Sequence, residues 1–239
     1  MEYKYRPATK KELKTLCDDE SIYLCDIDTS LITDMHNLFY WSHRKDYSGI
    51  ENWDTSNVIT MQSMFQDAVN FNGDISSWDT SNVMDMSCMF ANAENFNQPI
   101  GSWNVSNVKD MSGMFCNAFS FNQPLENWDT GNVTDMHGMF YRAKKFNQDI
   151  SCWDVRQVTD LSNMFAWAKA FNQPLGNWNV SKVREMSCMF SGAESFHQNL
   201  KNWQLNPNIN STNIFWDCPI PKKFKPVIQR GKEAPGWGI

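Results

Sequence analysis

The sequence predicts an α/β solenoid of about eight stacked 25-residue coils, each a short helix plus a short parallel strand, closed by a helical cap at the N-terminus and an irregular cap at the C-terminus. Three observations predict it. Tryptophan recurs at Trp53, Trp78, Trp103, Trp128, Trp153, Trp178 and Trp203, a spacing of 25 residues without insertion or deletion. Other columns keep the same step: phenylalanine from Phe65 to Phe215 and from Phe71 to Phe196, alanine from Ala68 to Ala193, and two methionine columns that start at Met61 and Met64, the first interrupted by Leu161. Finally, one 25-mer cannot close a core by itself, whereas copies stacked at the roughly 4.8 Å spacing of paired strands bury one another.

The elements follow in chain order. Residues 1–26 form the N-terminal cap. In "RPATKKELKTL", Thr9 and Glu12 make a capping box, and Leu13, Leu16 and Cys17 share one face, so a helix is expected over 9–17. "SIYLCDI" alternates Ile22 and Leu24 and predicts the first strand. The repeat domain is 27–218. It opens on a degenerate copy, "IDTSLITDMHNLF", in which Ile27 takes the tryptophan position and Met35 and Phe39 precede Met61 and Phe65 by 26, so "YWSHRKDYSG" holds one extra residue.

Within a copy, "DMSCMFANAENF" places Met86, Met89, Phe90, Ala93 and Phe96 at offsets 0, 3, 4, 7 and 10, which predicts a helix of about two turns. Such a helix is too short to persist alone, so neighbours must hold it. The column Thr60, Asp85, Asp110, Asp135, Asp160 and Glu185 fits a helix N-cap, with Ser87, Ser112, Ser162 and Ser187 as the alternative. "FNQPI" is extended because Pro99 excludes helix. "WDTSNV" is a turn with Asp79 accepting from the backbone two residues on, and Val58, Val83, Val108, Val133, Val158 and Val183 return the chain to the core. Asn72, Asn97, Asn122, Asn147 and Asn172, with His197 last, lie between apolar neighbours and predict a buried asparagine ladder bonded to backbone. Residues 219–239 form the C-terminal cap, and Pro207, Pro219, Pro221, Pro226 and Pro235, with Phe215, Trp216 and Trp237, predict an irregular lid at that end.

Composition bounds the function. A net charge of −6 argues against nucleic acid, which needs clustered Lys and Arg. No stretch nears the roughly 20 apolar residues of a membrane helix, and "MEYKYRPATKKELK" lacks the apolar run of a signal peptide, so no membrane insertion and no export by that route are expected. The seven cysteines are scattered, with Cys88 and Cys188 in one column but four repeats apart, and offer no CxxC pair, which points to a reduced, cytoplasmic setting. His36, His43, His137 and His197 form no catalytic motif, so a non-enzyme without cofactors is expected. Calcium could relieve like charges along the aspartate column, but capping accounts for every carboxylate and no metal site is expected.

If the repeated columns serve packing, specificity lies where copies differ. Phe119, Tyr141, Arg142, Lys144, Lys145, Trp167 and Lys169 should cluster on the helix face of three adjacent coils, joining aromatics and arginine as interface hot spots do. The chain is read as a monomer that binds another protein there. A glycan-binding adhesin, with exposed rings stacked on sugars, and a rigid spacer are the other readings.

"VTDMHGMFYRAKKFNQDISCWDV" and its sister copies resemble the 25-residue repeat of the BspA-like leucine-rich-repeat family, noted in Mycoplasma lipoproteins and bacterial surface proteins, over about residues 27–218. The resemblance implies a leucine-rich-repeat-like stack, adhesion or protein binding, a host or cell-surface partner, and a surface or secreted location. Right-handed coiling is expected from the crossover rule for parallel strands.

Overall fold

The computed structural model describes residues 3–228. The expected lid residues Pro235 and Trp237 lie outside the described residues. Helix α1 (Lys10–Asp18) starts at Thr9, whose Oγ1 accepts the Glu12 N–H at 3.3 Å while Glu12 Oε2 accepts the Ala8 N–H at 2.7 Å. It begins and ends one residue later than the expected 9–17 and buries Leu13 and Cys17 in the core. The strand expected in "SIYLCDI" is instead a 3-10 turn, Leu24–Asp26, followed by a parallel bridge between Tyr5 and Ile27. In this arrangement the Leu24 carbonyl accepts the Trp53 indole N–H at 2.9 Å.

Each copy rests on the next through one parallel bridge. The bridges run Asp34–Thr60–Asp85–Asp110–Asp135–Asp160–Glu185–Asn210, so the predicted strand of each copy is reduced to a single paired residue. The helix expected after it does not form, and α1 is the only α-helix among the described residues. In its place runs a chain of overlapping turns. Met89, Ala91 and Ala93 donate their N–H groups to the carbonyls of Met86, Cys88 and Phe90, three residues back. The alternate N–H groups leave the copy: Met86 donates to Asp110 at 3.0 Å, Cys88 to Ser112 at 2.8 Å, Phe90 to Met114 at 2.9 Å and Asn92 to Cys116 at 2.7 Å.

Two left-handed residues per copy cause this, Cys88 at φ 54° and Asn92 at φ 60° in the second full copy. Each breaks the helical run and turns the alternate N–H groups toward the neighbour. Every backbone donor from Met86 to Ala93, except those of Ser87, which Asp85 takes, is thereby satisfied by backbone. The aspartate column is therefore not a set of helix caps. Asp85, Asp110, Asp135 and Asp160 each accept the N–H two residues on at 2.7–2.8 Å, closing an Asx turn. Burial, followed by the nearby carboxylates of Asp110 and Asp160, pushes the Asp135 carboxyl up, against the pull of the His137 N–H.

The core consists of side-chain columns. Successive rings from Phe65 to Phe190 lie 5.5–5.8 Å apart and within 15° of parallel. Trp53 and Trp78 are 6.3 Å apart at 1°, and Trp78 and Trp103 are 6.4 Å apart at 2°. Stacked pairs add about 0.5–1.5 kcal/mol each beyond area burial. Each buried indole also has a partner: Trp103 Nε1 donates to the Ile75 carbonyl at 3.0 Å and Trp128 Nε1 to Ile100 at 3.1 Å.

Polar side chains repeat the connection outside the core. The amide oxygens of Asn72, Asn97, Asn122, Asn147 and Asn172 accept the backbone N–H of Asn97, Asn122, Asn147, Asn172 and His197 at 2.9–3.1 Å. This ladder is half-buried, and exposed at Asn72, rather than buried as the apolar neighbours suggest. The preceding phenylalanine, fully buried in each copy, takes the core side, which leaves the asparagine at the edge of the stack.

The first copy is fastened to α1 by Arg44, which is only 4% exposed. Its guanidinium donates to the carbonyls of Asp46 (2.6 Å), Cys17 (3.2 Å), Asp19 (3.2 Å) and Ile22 (2.5 Å). The helix has no basic residue in its last turn, so Arg44 supplies the positive charge that complements the carbonyl end of its dipole.

Candidate functional site

The second left-handed position of each copy carries the candidate site. Its column reads Trp41, Asp67, Asn92, Asn117, Arg142, Trp167, Gly192 and Asp217, every one at φ between 52° and 65°. Asn, Asp and Gly enter this conformation at little cost, whereas a bulky residue there is strained by about 1 kcal/mol or more. Where the column is amidic it is also bonded along the stack. Asn92 Nδ2 donates to Asp67 Oδ1 at 2.8 Å, and Asn117 Nδ2 to Asn92 Oδ1 at 2.7 Å. The next copy breaks the run with Arg142, and the one after it with Trp167.

Trp167 has a prepared seat. Its ring lies over Gly192, where a Cβ would come within 2.5 Å of Cε3, and its edge meets Trp216 at 5.9 Å and 66°. A groove of about 210 Å³ opens beside it, lined by Phe119, Arg142, Lys144, Trp167 and Lys169. Five of the seven expected residues thus meet in one place. Lys144 Nζ stands 3.9 Å from the centre of the Phe119 ring, and Lys169 pairs with Glu194 at 2.7 Å, half exposed and so of little energetic weight. Tyr141 lies beyond this groove, with the Arg142 guanidinium 5.2 Å from its ring centre, and lines a neighbouring depression of about 440 Å³ that also takes in Cys88, Gly113, Cys116, His137 and Gly138. Lys145 is exposed and lines neither. Phe119, Tyr141 and Trp167 are all half-buried.

Sequence reading missed Gly192 and Trp216. Gly192 could have been found as the one glycine in a column that is otherwise amide, acid, arginine or tryptophan. Trp216, which is 57% exposed, gives no such signal, because its contact depends on the Trp167 ring crossing an intervening copy. The Cys116 thiol in the neighbouring depression is pushed up to about 11 by burial, so it is held as a thiol and not as a nucleophilic thiolate. Among the described residues no group of three or more His, Cys, Asp or Glu side chains is arranged to hold a metal ion. Nor, among the same residues, is any helix long and apolar enough to cross a membrane.

Two overlapping stretches, residues 13–127 and 111–228, match the family described as Mycoplasma protein of unknown function, DUF285. The chain belongs to this family. No curated protein and no solved structure matches it. The DUF285 unit spans several 25-residue copies, and the overlap of the two matches falls within the third full copy, so the repeat reading and the family match agree. Phe119 lies in the overlap, while Arg142, Lys144, Trp167 and Lys169 belong to the second match alone.

Arg142→Asn tests the strain at this DUF285 surface. The amide suits the left-handed backbone and extends the bonding from Asn117, so the variant should gain about 1 kcal/mol. The melting midpoint should rise by about 2–4 °C. A fall in the midpoint would show Arg142 to be a packing residue.

Proposed function

We propose that this chain is a right-handed, leucine-rich-repeat-like solenoid of the BspA-like kind, acting as a monomeric, non-catalytic scaffold that binds another protein through the face carrying Phe119, Tyr141, Arg142, Lys144, Lys145, Trp167 and Lys169. One observation carries the reading. Arg142 and Trp167, in adjacent copies, occupy a left-handed position that Asp67, Asn92, Asn117 and Gly192 fill with less strain in the flanking copies; the other bulky residue of the column, Trp41, stands by itself in the first, 26-residue copy. A spacer has no use for that concession. An interaction face does, since a large flat ring and a guanidinium are the side chains that dominate protein interfaces. Further support comes from the Gly192 seat, which holds Trp167 in one orientation before any partner arrives and so lowers the entropy lost on binding.

The test is the double variant Tyr141→Ala with Trp167→Ala, compared with wild type by affinity capture from the native setting and by thermal melting. Capture of the specific partner should fall to background while the midpoint moves by less than about 4 °C. Global unfolding of the variant would make these rings core, and retained capture would place the binding face elsewhere. Binding on a glycan array that vanishes in the same variant would replace a protein partner with a sugar.

A further inference from the structure

The groove between Phe119 and Trp167 has a sign. Arg142, Lys144 and Lys169 converge on its 210 Å³, in a chain whose net charge is −6. The column that supplies Lys144 and Lys169 reads Val69, Glu94, Phe119, Lys144, Lys169 and Glu194, so the positive charge is confined to two neighbouring copies and bounded by a carboxylate one copy beyond Phe119 and another one copy beyond Lys169. Glu194 already pairs with Lys169, leaving Arg142 and Lys144 as the groove cations without a carboxylate partner among the described residues. Lys144 is held over the Phe119 ring instead.

We infer, resting on the interaction face proposed above, that this groove binds a short acidic segment of a partner protein. A carboxylate is received by Arg142 and Lys144, and an adjacent apolar side chain lies against the Trp167 face. Two features select this ligand over a long polyanion. The flanking Glu94 and Glu194 repel charge that continues past two copies, as that of a sulfated polysaccharide does, and the wall formed by Phe119 and Trp167 favours a wholly apolar side chain over a sugar ring studded with hydroxyl and sulfate groups. A segment with one or two carboxylates and an aliphatic neighbour meets both constraints. Arg142 gives the carboxylate a planar fork, which a bidentate pair uses with geometric specificity. Charge complementarity also steers the encounter, so binding should weaken with salt.

The probe is a fluorescein-labelled peptide of alternating glutamate and leucine, followed by anisotropy against the intact chain, with a lysine–leucine peptide and a heparin oligosaccharide as comparators. The glutamate peptide should bind in low salt, and Arg142→Glu with Lys144→Glu should weaken it at least tenfold. Lys109→Glu, a charge change on the bridge side of the third copy, should leave it within twofold. Equal loss in both charge variants would make the effect one of net charge and overturn the inference. Tighter binding of heparin than of the peptide, lost in the same double variant, would also overturn it. If the lysine–leucine peptide binds and Trp167→Ala abolishes that binding, the acidic ligand is wrong but the interaction face stands. If no peptide responds to any of these substitutions, both fall.

Discussion

Phe115→Ala should destabilise the chain by about 3–5 kcal/mol, the range for a large aromatic removed from a closed core. Phe115 is fully buried and touches four rings: Phe90 at 5.7 Å, Phe140 at 5.5 Å, Phe121 at 4.0 Å and Trp128 at 6.3 Å. The loss therefore falls on both faces of one copy. In a stack held by nearest-neighbour contacts, weakening two adjacent interfaces at mid-chain should also split the cooperative unit. Urea denaturation followed by tryptophan fluorescence should give an earlier and broader, or two-stage, transition, while Phe115→Leu should lose much less. A single sharp transition within about 1 kcal/mol of wild type would mean that the copies do not depend on their ring columns.

The second large effect is expected at Arg44→Leu. The substitution keeps a buried apolar volume but leaves the carbonyls of Cys17, Asp19, Ile22 and Asp46 without their donor. Unpaired buried polar groups cost about 1–3 kcal/mol each, and relaxation of the exposed ones sets a net loss of about 3 kcal/mol. The damage should be local, freeing α1 and opening the end of the stack. Cys17, now fully enclosed with its thiol pushed up by burial, reports this directly. Its modification by a thiol reagent should accelerate in the variant well before the tryptophan signal changes. Unchanged Cys17 reactivity would mean that Leu13 and Leu24 hold the cap without the guanidinium.

The stacking of copies was legible because the period is free of insertions, so each ring column could be read from spacing alone. The local path was not. Offsets of 0, 3, 4, 7 and 10 suit a helix and equally suit consecutive turns closed over three residues, because both return the chain to the same side at nearly the same interval. What separates them is the pair of columns with left-handed residues. One reads Ser63, Cys88, Gly113, Gly138, Asn163 and Cys188, and the other Asp67, Asn92, Asn117, Arg142, Trp167 and Gly192. Glycine and asparagine repeated four residues apart inside a supposed helix were the signal that it could not be one. The site was legible as a neighbourhood, since copies in register must bring Phe119, Lys144 and Trp167 together. Its form was not: the Gly192 seat and the separation of Tyr141 from the groove depend on the direction of side chains that cross between copies. The Arg44 latch was hidden for another reason. It lies in the 26-residue first copy, the one place where column arithmetic fails.

The repetition of the same ring contacts from copy to copy, with successive phenylalanine rings from Phe65 to Phe190 within 15° of parallel, bears on how the gene can change. Any unit offers the next the same donors, acceptors and ring faces, so recombination that duplicates or drops a block of 25 codons yields a chain that folds as before, only longer or shorter. The aromatic, cationic units would keep their geometry in such a move only if the following copy travelled with them, because its Gly192 seats the Trp167 ring.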